Sequence, residues 1–193
     1  MADAPLNNSR LETERLILRN WESDADWDAF FAGTNTPGVM RWLNGIMDES
    51  TMAAQRARVE ACAKDNGFCF WAVERKEDGA ILGFCGLKRV NAEGAHNPGD
   101  MEIGWRFAEF AQGQGYAREA AERAMQAAFE DYDAPYVVAL TVIQNEPSWR
   151  LMEKLGMERR ADLDFIDPRW GPELQSTIVY AITKDQWTAK THA

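Results

Sequence analysis

Histidine and cysteine are scarce in this sequence of 193 residues, which holds two of the first and three of the second. A zinc site or a histidine-based catalytic triad therefore has little material to work with, and we expect no metal. Cys62, Cys69 and Cys85 form no CxxC pair and leave an odd cysteine over. This pattern favours a reducing, cytoplasmic setting over a disulfide framework.

Long apolar runs and an excess of positive charge are also missing. The opening segment MADAPLNNSR lacks the apolar stretch of a signal peptide. No run approaches the roughly 20 residues that cross a bilayer, so we expect no membrane partner. The net charge of −10, from 21 basic and 31 acidic residues, argues against nucleic acid as a partner. An acidic surface attracts cationic amines, although solubility alone also explains such a charge.

The composition that remains is that of a globular protein, with 46% hydrophobic and 27% charged residues. A chain of this length can bury a core without metals or disulfides. We expect residues 1–10 to be disordered and residues 11–193 to form a single domain. The composition is compatible with either a monomer or a homodimer.

Hydrophobic patterns place the secondary structure. Strands are predicted at 16–18, 68–75, 80–90, 101–107, 136–143, 157–165 and 173–182. Helices are predicted to begin at Asp24, at Glu49 with Ser50 as the cap, at Ala117, and at Glu146 with Asn145 as the cap. Because a hairpin comes first and helices separate the later strands, we expect a mixed sheet in an α/β or α+β domain.

The most informative segment reads QGQGYA at 112–117, between a predicted strand and an alanine-rich helix. Glycines let the backbone turn tightly and approach a ligand closely. The start of a helix has unpaired N–H groups and a partial positive charge, which bind phosphate. The segment matches neither GxGxxG nor GxxxxGK[ST]. Taken alone, a tight turn without a ligand explains it equally well.

The neighbouring segments identify a family resemblance. In order, MEIGWRF, QGQGYA, the alanine-rich helix, YVVALTVI and NEPSWRLMEKLGM resemble the GNAT acetyltransferase superfamily. The family's phosphate loop reads (Gln/Arg)-x-x-Gly-x-(Gly/Ala), and Gln112, Gly115 and Ala117 fill its fixed places. The helix at 145–157 is similar to the NxxSxxxxEKLGF signature. With the opening TERLILRNW, it resembles the branch of ribosomal-protein N-terminal acetyltransferases, RimJ and RimL. The resemblance covers residues 11–187.

This resemblance implies a fold and a reaction. The fold is a mixed, mostly antiparallel central sheet of about seven strands, flanked by helices and splayed between the fourth and fifth strands. The reaction transfers acetyl from acetyl-CoA to a primary amine, on a protein N-terminus or a small molecule, by direct attack in a ternary complex. A non-catalytic acyl-CoA-binding module on the same fold is the alternative.

The resemblance also implies which residues contact the cofactor. Backbone amides that would hold the pyrophosphate are those of Gly113, Gln114, Gly115, Tyr116 and Ala117. Backbone groups of Trp105, Arg106 and Phe107 would pair with the pantetheine arm like an added strand. Asn145 and Ser148 would lie beside the pantetheine and the thiol.

Glu102 is the candidate catalytic base, directly or through a water. A free carboxylate has a pKa of about 4.3 and is a poor base for a lysine ammonium near 10.4, so a relay or a raised pKa is needed. An N-terminal amine, with a pKa of about 7.7–8.0, is already partly neutral. The structural alternative for Glu102 is a strand carboxylate in a polar cavity or in a salt bridge with Arg106.

The proton for the departing thiolate has a less obvious source. Many relatives place a tyrosine where this chain has Met152, which cannot donate a proton. Ser148 lies one turn earlier on the same helix face and can donate a hydrogen bond, although capping of the helix start explains it equally well. Trp42 and Trp170 are candidates for lining the acceptor pocket, together with the loop at 167–172.

Overall fold

The computed structural model describes residues 10–191. Of the segment predicted to be disordered, 1–10, residues 1–9 lie outside the described residues, and the prediction was wrong for Arg10, which begins a strand. The strands are β1 (Arg10–Glu12), β2 (Leu16–Arg19), β3 (Phe70–Arg75), β4 (Ile81–Arg89), β5 (Met101–Phe107), β6 (Tyr136–Val142), β7 (Glu158–Arg159), β8 (Phe165–Ile166) and β9 (Ser176–Thr183). The helices are α1 (Asp24–Thr34), α2 (Pro37–Met40), α3 (Glu49–Asn66), α4 (Tyr116–Glu130), α5 (Glu146–Lys154) and α6 (Lys184–Thr191).

The strands form one mixed sheet in the order β1-β2-β3-β4-β5-β6-β9-β7, with β8 also pairing β9. Every pair is antiparallel except β5 with β6. Helices cover both faces, which confirms the expected fold class. The structure has nine strands where the resemblance implied about seven, because β1 was not predicted and the strand predicted for 157–165 is divided into β7 and β8.

The prediction of one continuous strand at 157–165 was wrong. A short 3-10 turn (Ala161–Leu163) separates β7 from β8. The N–H of Val179 on β9 donates to the Asp164 carboxylate at 3.1 Å. In a continuous strand, a backbone carbonyl would accept this N–H. The same carboxylate binds the Arg159 guanidinium. A side chain has therefore taken over a hydrogen bond that a continuous strand would make.

The cap of α3 also differs from the prediction. Asp48, not Ser50, is the N-cap residue, and its carboxylate accepts the N–H of Thr51 at 2.8 Å. The Ser50 hydroxyl donates to the same carboxylate at 3.0 Å. A carboxylate at this position also complements the positive end of the helix dipole, so aspartate is the stronger cap.

Two apolar layers hold the sheet. On one face, α4 packs through alanines that are fully buried, namely Ala120, Ala121, Ala124, Ala127 and Ala128. These small side chains allow the helix to lie close to β4 and β5. On the other face, Trp27 and Phe30 of α1 and Val59 of α3 pack against Ala72 and Phe84. Strand β5 is therefore enclosed by helices on both sides.

The sheet opens between β5 and β6. Their register contains one pair only, Glu102 with Val138, and the strands diverge beyond it. In the described part of the chain, no strand pairs with the β6-facing edge of β5 after that point. β5 and β6 are the fourth and fifth predicted strands, 101–107 and 136–143. The splay therefore lies where the resemblance implied. No helix within residues 10–191 is both long enough and apolar enough to cross a membrane.

Candidate functional site

Two glycines shape the loop between β5 and α4. Gly113 has φ +75° and Gly115 has φ +83°, both in the left-handed region. A Cβ at Gly113 would meet nothing within 4 Å, so the backbone conformation, not lack of space, requires glycine there. Gly115 is the N-cap of α4. Because glycine has no side chain, no capping bond forms to the first N–H groups of the helix.

The loop leaves a run of amides without partners. Among residues 10–191, no acceptor takes the backbone N–H groups of residues 113–118. These groups include the first three of α4, where the helix dipole adds a partial positive charge. Consecutive unpaired amides at a helix start are suited to an anion such as a diphosphate. The loop therefore fits the pyrophosphate of coenzyme A.

Arg15, which directly precedes β2, braces this loop. Its Nη1 donates to the Gln114 carbonyl at 3.1 Å, and its Nη2 lies 2.6 Å from the Glu119 carboxylate on α4. Its guanidinium lies 4.4 Å above the Tyr116 ring. Glu119 is further held by the Thr13 hydroxyl at 2.5 Å. Sequence reasoning did not find this residue, because Arg15 and Glu119 are 104 positions apart.

Replacing Arg15 with glutamine is expected to weaken coenzyme A binding about tenfold while kcat changes little. The variant loses a charge-assisted hydrogen bond that fixes the Gln114 peptide, and such bonds contribute about 1.5–3 kcal/mol. Calorimetric titration with coenzyme A measures the effect. Arg10→Gln is the matched control, because Arg10 forms an ion pair with exposed Glu12 of the same strand, β1, and touches no part of the loop within residues 10–191. An unchanged affinity in Arg15→Gln would contradict the bracing role.

The side chain of Gln112 faces the protein. Its Nε2 donates to the Phe107 carbonyl at 3.0 Å and so fastens the loop to the end of β5. The resemblance assigned the backbone groups of Phe107 to the pantetheine arm, but the Phe107 carbonyl already accepts this hydrogen bond. Trp105 and Arg106 are half-buried beside the open edge of β5. Between them and Glu102, Gly104 makes room for the ring of Phe70, whose Cε1 would lie 2.9 Å from a Cβ at this position.

Glu102 points to the face of the sheet that α1 and α3 cover. It is 8% exposed, and Lys88 Nζ lies 2.9 Å from its Oε2. Lys88 is its direct cross-strand neighbour on β4. The alternative partner suggested by the sequence, Arg106, makes no ion pair with it. Burial raises the pKa of the Glu102 carboxyl, and the Lys88 ammonium opposes part of that shift. A raised pKa makes this carboxylate a stronger base.

Across the opening, α5 begins just after β6. Asn145 occupies the N-cap position, but its side chain makes no capping bond and donates to the Thr141 hydroxyl at 3.1 Å. This differs from the predicted cap. Ser148 is half-buried, and its hydroxyl makes no hydrogen bond with any other described residue. Met152, one turn further, is buried in the main core, so the position of the usual tyrosine is a packing position here.

Ser148→Ala separates a role in catalysis from a role in capping. Because the hydroxyl has no partner among residues 10–191, the melting temperature should change by less than about 2 °C. If the hydroxyl assists the departing sulfur, kcat should fall about three- to tenfold with acetyl-CoA affinity unchanged. An assay of thiol release measures kcat, and thermal unfolding measures the melting temperature. A lower melting temperature with full kcat would indicate a structural role instead.

A cavity of about 400 Å³ lies beside this end of the sheet. Its lining residues are Arg41, Trp42, Gln144, Pro172, Glu173, Leu174 and Ser176. Trp42 thus lines the cavity, and so does the last residue of the 167–172 loop. Trp170 does not, and its indole N–H donates to the Asp167 carboxylate at 3.1 Å. Gln144 directly precedes Asn145, which places the cavity next to the start of α5.

Comparison with known proteins identifies the class. The family model for the acetyltransferase (GNAT) domain matches residues 15–158, and the chain therefore belongs to this family of acetyl-CoA-dependent acetyltransferases.

Individual relatives agree with this membership. The uncharacterized N-acetyltransferase YnaD of Bacillus subtilis is 30% identical over 178 residues, 92% of this chain and 98% of that protein. The crystal structure of an acetyltransferase from Agrobacterium tumefaciens is 26% identical, with a TM-score of 0.74 over 91% of this chain and 95% of that one. A spermidine N-acetyltransferase from Vibrio cholerae, solved with CoA and spermine, has a TM-score of 0.70 at 19% identity over 91% and 99% of the two chains. That last likeness shows the fold alone.

Proposed function

We propose that this acetyltransferase transfers acetyl from acetyl-CoA to a primary amine on a small molecule or a protein N-terminus. The observation that carries the proposal is the run of six unpaired amides at 113–118, directly beside the open edge of β5. The amides would hold the pyrophosphate. Trp105 and Arg106 would pair through their backbones with the pantetheine arm, which directs the thioester towards Asn145 and Ser148.

The residues near the opening have complementary parts in the reaction. Glu102 takes a proton from the acceptor ammonium, directly or through a water, and leaves a lone pair free to attack. A backbone N–H near Phe107 donates to the carbonyl oxygen as negative charge develops on it. Ser148 donates a hydrogen bond to the departing sulfur, which needs little help because a thiolate is a stable leaving group.

The acceptor would enter through the cavity lined by Trp42 and Pro172. It lies next to Gln144, and Gln144 precedes the α5 start that the thioester would face. An aromatic wall provides contact area, and the charged Arg41 and Glu173 offer polar partners.

Three further assignments complete the proposal. Residues 11–193 form a single domain, supported by the one sheet that contains β1 through β9. The location is the cytoplasm, supported by three free cysteines. The branch is that of the ribosomal-protein N-terminal acetyltransferases, supported by TERLILRNW and the NEPS–EKLGM helix.

The deciding experiment measures thiol release from acetyl-CoA with a panel of primary amines. Calorimetry with coenzyme A runs in parallel. We expect binding and turnover of at least one amine, with transfer verified by the mass of the acetylated product. Binding without turnover of any amine would favour the non-catalytic module, for which the buried Met152 is the supporting feature. Absence of binding would contradict the assignment of the loop.

A further inference from the structure

We propose that the acceptor amine also carries a carboxylate, and that Arg106 together with Gln55 binds this group. The inference rests on the proposed function and narrows its substrate to amino acids and related molecules. It starts from the side chain of Arg106, whereas the cofactor assignment uses only the backbone of that residue.

The Arg106 guanidinium has no anionic partner in the part of the chain that the structure describes. Its Nη1 donates to the Gln55 amide oxygen at 3.2 Å, and its Nε is buried with no hydrogen-bond partner. The guanidinium lies 5.6 Å above the Phe30 ring and 5.4 Å above the Phe84 ring. No aspartate or glutamate within residues 10–191 forms an ion pair with it. Burial lowers its pKa to about 10, so it remains charged at neutral pH.

Such an arrangement is unfavourable for the protein alone. Burying a charge costs free energy unless an opposite charge or several hydrogen bonds compensate it. The two rings and one neutral amide compensate only in part. Arg19, a buried arginine on the same face, shows the usual solution, with Asp26 at 2.8 Å and Glu74 at 2.7 Å. Arg106 lacks these partners, which points to an anion supplied by a ligand.

The position of Arg106 suits an acceptor. Arg106 and Glu102 share one face of β5, and four residues of strand span roughly 13 Å. The ring of Phe70 packs over Gly104 between them, so a molecule that reaches both would lie along this ring, with its amine near Glu102 and its carboxylate near Arg106. The guanidinium fork matches a carboxylate in a bidentate pair. Gln55, which is 8% exposed on α3, already orients one side of that fork.

The test compares acids with their carboxamides. Glycine, L-phenylalanine, L-glutamate and 4-aminobutanoate are assayed against their amides, with spermidine as an amine that lacks a carboxylate. An amino acid amide has the less basic amine, so it reacts faster if the carboxylate is not recognised. We expect the best acid to exceed its amide in kcat/KM by on the order of 30-fold or more, and spermidine to be poor.

Arg106→Gln should abolish this preference. It should lower kcat/KM for the acid to within about threefold of the value that the same variant shows for the amide. Arg56→Gln is the control, because it removes the same charge from the exposed side of α3. Since Arg106→Gln removes a partly buried charge that no described carboxylate compensates, its melting temperature should equal that of the natural protein or exceed it by about 2–4 °C. A clear fall in melting temperature, with acid preference retained, would make Arg106 structural and overturn the inference.

A second readout does not depend on turnover. N-acetyl-L-phenylalanine should raise the melting temperature of the coenzyme A complex, its amide should not, and the difference should vanish in Arg106→Gln. Equal shifts from acid and amide, or a preference that survives in Arg106→Gln, would overturn the inference. Acetylation of amines without regard to a carboxylate would reject the carboxylate site and leave the proposed function intact. Failure of every amine would reject the proposed function, and the melting shifts would then decide the carboxylate site alone.

Discussion

Replacing Gly115 with glutamate is expected to weaken coenzyme A binding about 1,000-fold or more. At φ +83° any side chain costs about 1–2 kcal/mol. A carboxylate about 5 Å from the pyrophosphate adds roughly 3 kcal/mol of repulsion at an effective dielectric constant near 20. Because each 1.4 kcal/mol is about tenfold, the sum corresponds to at least three orders of magnitude. Calorimetry with coenzyme A measures the loss.

Two further variants separate the causes of this loss. Gly79→Glu carries the same charge change at φ +72°, in the turn between β3 and β4, and should leave coenzyme A affinity unchanged. Gly115→Asn introduces a residue that tolerates the left-handed region and has no charge, so its loss should be about tenfold at most. If Gly115→Glu bound coenzyme A as tightly as the natural protein, the pyrophosphate would have to lie elsewhere.

The sequence predicted the parts of the site that neighbouring residues determine. Gly113, Gly115 and the alanines of α4 lie in one continuous stretch, so the tight loop and the closely packed helix could be inferred from their order. The splay between β5 and β6 could not be inferred from spacing, because it depends on where two strands diverge. Only the family resemblance supplied it.

Contacts between distant residues account for what the sequence did not predict. Arg15 braces the phosphate loop from the residue before β2, and Lys88 reaches Glu102 from the adjacent strand. Neither residue has a local pattern that marks it, since each acts on a partner brought near by the sheet. Ser50 was chosen as a cap by residue type, but it lies inside the helix, and Asp48, which directly precedes the first helical residue, makes the capping bond. Residue type and local spacing therefore identify candidate residues, and the tertiary arrangement determines which of them make the contact.

Glu102→Gln should lower kcat about 10²- to 10⁴-fold, the usual contribution of a general base, and leave coenzyme A affinity within about threefold. Because burial raises the pKa of Glu102, its carboxyl is protonated and inactive up to a pH above the ordinary 4.5. The rate of the natural protein should therefore rise with pH through this raised pKa. In Glu102→Gln that rise should disappear, while the later rise from the amine itself remains. A profile of kcat/KM against pH measures both.

Lys88→Met provides the matched test of the same group. The Lys88 ammonium opposes the shift caused by burial, so its removal should raise the pKa of Glu102 further. The rise in rate should move to higher pH, and kcat above it should be largely retained. Glu158→Gln, an exposed change on β7, should leave the profile unchanged. If Glu102→Gln retains both the full rate and the natural pH profile, then Glu102 is a structural partner of Lys88 and another group, or water alone, accepts the proton.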